Sequence, residues 1–588
     1  MDDRTIERTD PRFLAAARGD TACDLTLTGG RVADVFRRRI IEADVGIIGG
    51  RIAAVVDPAS DAIDALDRVD CSGFVLAPGL IDAHMHVESS MLPPTRFAAL
   101  AAPHGTTAAV FDPHEIANVC GAPGIRWLAE DASRACVDAL IALSSCVPSS
   151  PLESAGAALD ADDLKSLFED PEIGPRVVAL AEVMNFPGVV SGDPGVLAKV
   201  RLGLERAVVD GHAPGLGGRA LQAYAGAGVS TDHECTTRKE AEQKLALGQR
   251  IAIREGSAAQ NLRALIGLVD ESNAHRFLFC TDDRHPGDLR DRGHIDHAVR
   301  MAVEEGVPAE TAIAIATVNA AEHYRRPDLG AIAPGRCADI IALDSLASLR
   351  VERTWFRGEL VAEGGRFLGQ IPPLRPWPAS AVRLPDGFGP EMLAIDAPPN
   401  PGEVRVIGMH PESLVTDALR VTPRVEDGQI VADTDGDLLK IAVIERHAGT
   451  GRIGLGLVKN FRFRGGAIAS TVGHDAHNLA VVGDGDRDMA LAARTVAEVG
   501  GGQCVVAGGE VAAVLPLPIA GLMSDAPAEQ TIDRQHALLD AARDRLGCPH
   551  ADPFMPLSFL PLPVIPHLKL TDLGLVDVDA FAVVGLAL

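Results

Sequence analysis

From about residue 79 to residue 326, short apolar runs alternate with Ala/Leu/Glu-rich stretches of helical period. The runs are LIDAHMH, TTAAVFD, ALIALSS, VVALAEV, RAVVDGH, GVSTDH, RIAIRE and RFLFCTDD. Strand and helix alternating eight times predict a (β/α)8 barrel over residues 77–327. On either side the period shortens to two. DLTLTGGRVADV, ADVGIIGGRIAAVV and GFVLAP precede the barrel, and LGAIAPGRCADIIALDSL and VERTWFRGELVAEGG follow it. These read as hairpin strands, and the simplest topology joins residues 1–76, whose first twenty form a leading helix or arm, with 328–380 in one discontinuous β-sandwich. A Pro-rich stretch begins near residue 370, with 381–403 expected as an interdomain linker. Beyond it, residues 404–588 mix strands (IAVIERHA, LAVVGDG, QCVVAGG) with a helical segment, DRDMALAARTVAEVG, and predict a further α/β domain. The expected class is α/β: a TIM-like barrel, a small split β-sandwich and a C-terminal α/β domain.

Composition narrows the possible partners. The chain of 588 residues carries a formal charge of −27, which argues against binding a nucleic-acid backbone. No uncharged apolar run approaches the roughly 20 residues of a membrane helix, and MDDRTIERTDPRF lacks the apolar core of a secretory signal. A cytoplasmic location is therefore expected. The ten cysteines include no C-x-x-C pair, so neither a zinc ribbon nor a redox dithiol is indicated, and buried reduced thiols are the simplest expectation.

Most of the barrel runs end in a polar residue able to bind a cation, and barrel active sites lie at the C-terminal ends of the strands. His84 and His86 are two apart on one strand and share a face. Glu182, His212, His233 and Asp282 end four other runs at the same level. Any one of these could be an ordinary polar strand cap. Together, four imidazoles and two carboxylates suit a pair of divalent transition metals, because a carboxylate can bridge two cations.

PGLIDAHMH, His212, His233 and Asp282 resemble the amidohydrolase superfamily, and PGRCADII resembles the segment that leads those chains back into their sandwich. Longer stretches, DAHMHVESSMLPPTRFAALAAPHGTTAAVFDPHEIANVCG, AEVMNFPGVV, DGHAPGLGG, STDHECT, FCTDDRHPGDL and FRFRGGAIASTVGHDAHNLAVVG, resemble the adenine deaminase family within it. The likeness spans nearly the whole chain beyond the first twenty residues. It implies a hydrolase that converts adenine to hypoxanthine and ammonia in purine salvage, with Mn or Fe favoured over Zn. Many two-metal members of the superfamily bridge their cations with a carboxylated Lys on strand 4. Glu182 stands there instead, which disfavours the alternative reading as a cyclic amidohydrolase. A metal-binding scaffold without activity is the non-enzymatic alternative.

On this reading His84, His86 and Asp282 hold one cation, His212 and His233 the other, and Glu182 bridges them. Hydroxide formed at neutral pH attacks C6 of adenine, and a carboxylate moves the proton toward ring and amine. Asp282 is the first choice for that shuttle, with Asp283 and Glu115 as alternatives. His114 and Glu115, just past strand 2, are open to three roles: contact with the purine, a further metal, or loop ordering. Arg284 and His285 are candidates to close over substrate or to cap the next helix. Glu88 is open to orienting a ligand histidine or to a helix N-terminus, and Ser89 and Ser90 read as N-caps. In GHDAHN, His474 and His477 fit a second metal site, a lid over the barrel mouth, or a polar turn. Asp486 reads as the N-cap of the following helix. The other base-deaminase chemistry, a single zinc held by H-x-E and P-C-x-x-C, is absent from the sequence. A homodimer or higher homo-oligomer is expected.

Overall fold

A computed structural model describes residues 5–398, 402–411 and 413–588. Eight barrel strands run in chain order: β1 (Leu80–Met85), β2 (Thr106–Phe111), β3 (Asp138–Leu143), β4 (Val177–Val183), β5 (Val208–Gly211), β6 (Thr231–Asp232), β7 (Arg250–Arg254) and β8 (Phe277–Cys280). Strands β1 to β5 pair in parallel, as do β6 to β8. Two seams close the ring. Ser230 N donates to Val209 O at 2.8 Å between β5 and β6, and Asp282 N and His86 N donate to His84 O and Asp282 O, each at 3.0 Å, between β8 and β1.

Both faces of these strands are buried, which is why they read as apolar runs rather than alternating ones. One parity, including Ala108, Val110, Leu140, Ala142 and Ala179, fills the interior. The other, including Phe111, Ile141 and Leu180, packs with helix residues such as Phe97, Ile116 and Leu128. Register slips occur between Asp82 and Met85 in β1 and between Leu180 and Val183 in β4. Bulges of this kind re-aim side chains beside active sites, and these two lie at His84 and Glu182.

The flanking segments do combine. Ile340–Leu343 pairs antiparallel with Val75–Pro78 inside a seven-stranded sheet, and a four-stranded sheet packs on it through Leu27, Val45, Ile47 and Trp355. The leading segment holds a short helix, Pro11–Ala17; its residues 1–4 lie outside the described residues. The C-terminal region is built on an eight-stranded sheet. Helix Asp486–Glu498 covers one face and helix Ala528–Leu546 the other. Gly485, not Asp486, is the N-cap of the first of these helices. The Asp486 carboxylate instead pairs with Lys440, drawn off by the stronger charge–charge contact.

The Pro-rich stretch differs from a free linker. Leu374 and Trp377 pack on the barrel core, Val382 and Leu384 pack on the C-terminal core, and Arg134 Nη1 donates to Pro373 O at 2.8 Å. Proline lacks an N–H that would need a partner, so such a segment can lie extended along a surface as a strap. Ile395–Asp396 already pairs with Gln429–Val431 in the C-terminal region; residues 399–401 of the expected linker lie outside the described residues. The C-terminal region also covers the barrel: Ile519, Leu522 and Met523 join the barrel's core, and Ser524 N donates to Met91 O at 2.8 Å. All ten cysteines are free thiols, eight of them buried. Among the described residues no helix is long and apolar enough to cross a membrane.

Candidate metal centre and active site

Six side chains from five strand ends converge at the barrel mouth. His84 Nε2 and His86 Nε2 lie 3.4 and 3.3 Å from Asp282 Oδ1. Glu182 sits between two histidine pairs. Its Oε1 is 3.4 Å from His86 Nε2, and its Oε2 is 2.9 Å from His212 Nδ1, 3.3 Å from His233 Nε2 and 3.9 Å from His84 Nε2. The rings of His84 and His233 stack with centroids 4.3 Å apart. Five of the six are buried; His212 keeps 23% of its side chain exposed and marks the open side of the site.

The donor set fits cations. The Nε2 atoms of His84 and His233 are buried with no hydrogen-bond partner, although carboxylate oxygens lie within 3.4 Å of both. Buried polar atoms are rarely left without partners unless a ligand or ion serves them. His86 donates from Nδ1 to Asp112 O at 3.1 Å, which fixes the tautomer and leaves the Nε2 lone pair free to bind a cation. His84, His86 and Asp282 form one group able to hold an ion, and His84, Glu182 and His233 form another.

Strand-end backbone and second-layer contacts hold this geometry. Asp282 adopts a φ of +59°, uncommon for a non-glycine residue, where the chain leaves β8 and turns back to bond to β1. Arg254, at the end of β7, reaches Asp282 Oδ2 at 2.5 Å and also pairs with Glu234. Burial works against the Asp282 charge, yet the Arg254 guanidinium and the two imidazoles hold its carboxyl well below the usual range. Glu182 behaves alike: burial opposes its charge, and His212, His233 and His86 hold it well below the usual range. Asp283 moves the other way, raised by burial and by the Asp282 charge. Asn261 Nδ2 donates to His233 O at 3.1 Å, and the His212 N–H donates to Tyr224 Oη at 3.0 Å.

The remaining candidates divide. His114 and Glu115 open helix His114–Ala132 beside the mouth, fully buried under the C-terminal region. His114 Nδ1 is 3.8 Å from Glu182 Oε1, and its Nε2 is 3.3 Å from Asp475 Oδ2. Glu115 meets His474 and His477, so GHDAHN lies over the barrel mouth rather than forming an isolated turn. Of the two readings of Arg284, the contacts favour helix capping over closure on substrate, Gly293 being the C-cap of helix Pro286–Arg292. The buried Arg284 guanidinium donates to the carbonyls of Glu255 and Gly293 at 3.2 and 2.8 Å, tying a loop to a helix end instead of facing substrate. His285 stands at the domain boundary, 3.7 Å from Asp552. Ser89 and Ser90 are not N-caps. Ser89 Oγ bonds to Asp283, Ser90 Oγ donates to Val87 O at 2.6 Å, and the next helix starts from Pro93. Glu88 accepts from Ile116 N at 3.0 Å, serving the N-terminus of the His114 helix rather than a ligand histidine.

Sequence reasoning passed over Asp112, Glu234 and Arg254. Asp112 ends the TTAAVFD run and groups with His86 and Glu182; Glu234 groups with His212 and His233. The strand-end rule that picked out Glu182 would have found Asp112.

Two family models match the chain: the amidohydrolase family over residues 75–361 and the adenine deaminase C-terminal domain over residues 413–582. The chain is 47% identical over 580 residues to the adenine deaminase of Desulfatibacillum aliphaticivorans, covering 98% of this chain and 99% of that one. The chain belongs to the adenine deaminase family. The adenine deaminase of Methanothrix thermoacetophila is 44% identical over 577 residues, covering 98% and 99%. Membership of the adenine deaminase family extends through both the barrel and the region that covers its mouth, so the contacts between them belong to one enzyme fold.

Proposed function

We propose that the protein is an adenine aminohydrolase that works with two divalent cations at the barrel mouth. The observation that carries this reading is Glu182, buried with one oxygen toward His86 and the other toward His212 and His233. His84, His86 and Asp282 would hold one cation, His212 and His233 the other, with Glu182 between them. Bound there, divalent cations supply hydroxide at neutral pH by lowering the pKa of water from 15.7 to about 7. The mixed imidazole and carboxylate donors suit Mn or Fe, and also Zn.

The reaction adds water across C6 and expels the amine: adenine and water give hypoxanthine and ammonia. C6 is a weak electrophile, so a proton must reach the ring and a second must reach the leaving amine. Asp282 suits the transfer. It stands where water bound at the His84 and His86 side would release its proton, and Arg254 on Oδ2 steadies its carboxylate. Asp283, pushed toward protonation and hydrogen-bonded by Ser89, lies next along the path. Such proton transfer typically contributes about 10²–10⁴-fold. His114 stands beside Glu182, on the wall against which a flat base would be placed. Burial of nearly every site residue excludes bulk water from the reacting atoms.

The test is ammonia release from adenine, adenosine and related purines by protein reconstituted with Mn, Fe or Zn, with metal content measured on the same samples. Release from adenine at two cations per chain is expected. Metal-replete protein that releases no ammonia from any purine would instead support a scaffold, and ring-opened products would support a cyclic amidohydrolase.

A further inference from the structure

We propose that the Gly473–Asn478 turn of the C-terminal region is part of the active site, with His477 and His474 acting as positioning residues for Glu115. The inference rests on the deaminase reading and adds to it a role for the second half of the chain.

Glu115 is 2% exposed, and both of its oxygens face this turn. Oε2 accepts from His477 Nε2, and Oε1 lies 2.8 Å from His474 Nδ1. The backbone fixes the His477 tautomer. Gly473 N–H donates to His477 Nδ1 at 3.1 Å, so Nδ1 offers a lone pair and the ring proton sits on Nε2, aimed at Glu115. A cation on Nε2 would require a fully deprotonated ring, so His477 acts here as a donor and not as a metal ligand. The His474 ring lies flat on Phe559, with centroids 4.3 Å apart and planes 14° apart. The adjacent Asp475 faces His114, whose other nitrogen faces Glu182.

The turn is itself braced from behind. Arg446 Nε donates to His477 O at 2.5 Å, His447 Nε2 to Ala476 O at 2.7 Å, and Asn478 Nδ2 to Ser154 O at 2.8 Å. Glu115 shares its cluster with Asp283 and His474, with one ligand-type atom from each within 4.8 Å of the others. The C-terminal region therefore sets where a second carboxylate stands beside Asp283. Fixed donors of this kind orient a catalytic group before substrate arrives, and outer partners typically contribute about 10–100-fold.

Position-matched amides provide the test. His477→Ala should lower kcat/KM for adenine by about 10–100-fold at unchanged metal content and with cooperative unfolding retained. His477→Gln places an amide nitrogen near the former Nε2 and should recover most of that loss. His477→Asn reaches only as far as Nδ1 and should not. Wild-type rates in His477→Ala, or equal impairment of the Gln and Asn variants, would overturn the proposal. So would a third cation per chain that disappears in His474→Ala, since the cluster would then be a metal site. The His477 tautomer is read separately from ¹⁵N-histidine spectra of the holoenzyme. Bare Nδ1 with protonated Nε2 supports the inference even where wild-type protein leaves adenine untouched, and the reverse tautomer sinks it even where adenine is deaminated.

Discussion

The floor and the roof of the site use the same residue types in opposite ways. In the barrel floor, His212 Nδ1 lies 2.9 Å from Glu182, but the nitrogens of His84, His86 and His233 stand 3.3–3.9 Å from carboxylate oxygens, and the Nε2 atoms of His84 and His233 are buried without partners. In the roof, His477 has both ring nitrogens engaged, and His474 is in contact with Glu115. The floor is arranged around charges it does not itself contain. The roof engages both oxygens of Glu115 and is arranged to hold that carboxylate still, although Asp475 Oδ2 of the same turn and the ring nitrogens of His114 that it faces are buried without hydrogen-bond partners. A histidine–carboxylate cluster thus declares its role through which atoms lack partners more than through its composition.

The strongest way to break this contrast is to remove a floor ligand. His86→Ala deletes an imidazole that faces both Asp282 and Glu182. Cation content should fall, and turnover should drop by more than the about 10–100-fold typical of an outer-shell partner. Ammonia release and metal analysis on one preparation measure both. Unchanged turnover would remove the floor's assignment as a metal centre.

A smaller effect is expected one layer out, at Arg254. Its guanidinium holds Asp282 Oδ2 and neutralises Glu234 at the same time. Arg254→Met should leave all six floor ligands in place but loosen Asp282, weakening cation affinity by about 10–100-fold, with much of the activity restored by excess metal. Metal titration of the apoprotein measures this. Affinity equal to wild type would show that the floor orients Asp282 without its outer partner.

The same division explains what could be read from the sequence. A strand end in a barrel is a fixed address, so His84, His86, Glu182, His212, His233 and Asp282 could be brought together from their positions alone. Asp112 has the same kind of address and was as legible as Glu182, whereas Arg254, a cation at a strand end, falls outside any rule for metal ligands and shows its role only through its contacts with Asp282 and Glu234. Arg284 could only be left between substrate closure and helix capping: its position after β8 says nothing about direction, and the carbonyls of Glu255 and of Gly293, the cap of the next helix, turn it away from the mouth. The roof was legible only as one alternative: GHDAHN fits a lid over the barrel mouth as well as a second metal site or a polar turn, and nothing local names the residue it meets. His477 and Glu115 are 362 positions apart, and their pairing depends on how one region docks on another. The Pro-rich strap was legible as a break in regular structure, but its packing on both cores was not.

The smallest expected effect separates roof from floor by acidity. His447 donates to Ala476 O within the brace behind the roof; burial first, and then the Arg446 charge, pushes its pKa down to about 3. In the unfolded chain the same ring titrates near 6.5. Between those values the unfolded state binds a proton that the folded state refuses, so the stability linked to His447 is present above about pH 6.5 and is lost as pH falls toward 3. His447→Gln keeps a donor toward Ala476 but cannot titrate. Its melting temperature should therefore fall less steeply than wild type on acidification through this window, and amide exchange at residues 473–478 should rise less. The floor loses function over an overlapping range by a different route, because protons compete with cations for its imidazoles. Metal release should accordingly follow the same pH curve in His447→Gln as in wild type. Parallel melting curves for the two proteins would remove His447 as the acid-sensitive brace. A shifted metal-release curve would mean that roof and floor titrate as one unit and that the contrast drawn between them does not hold.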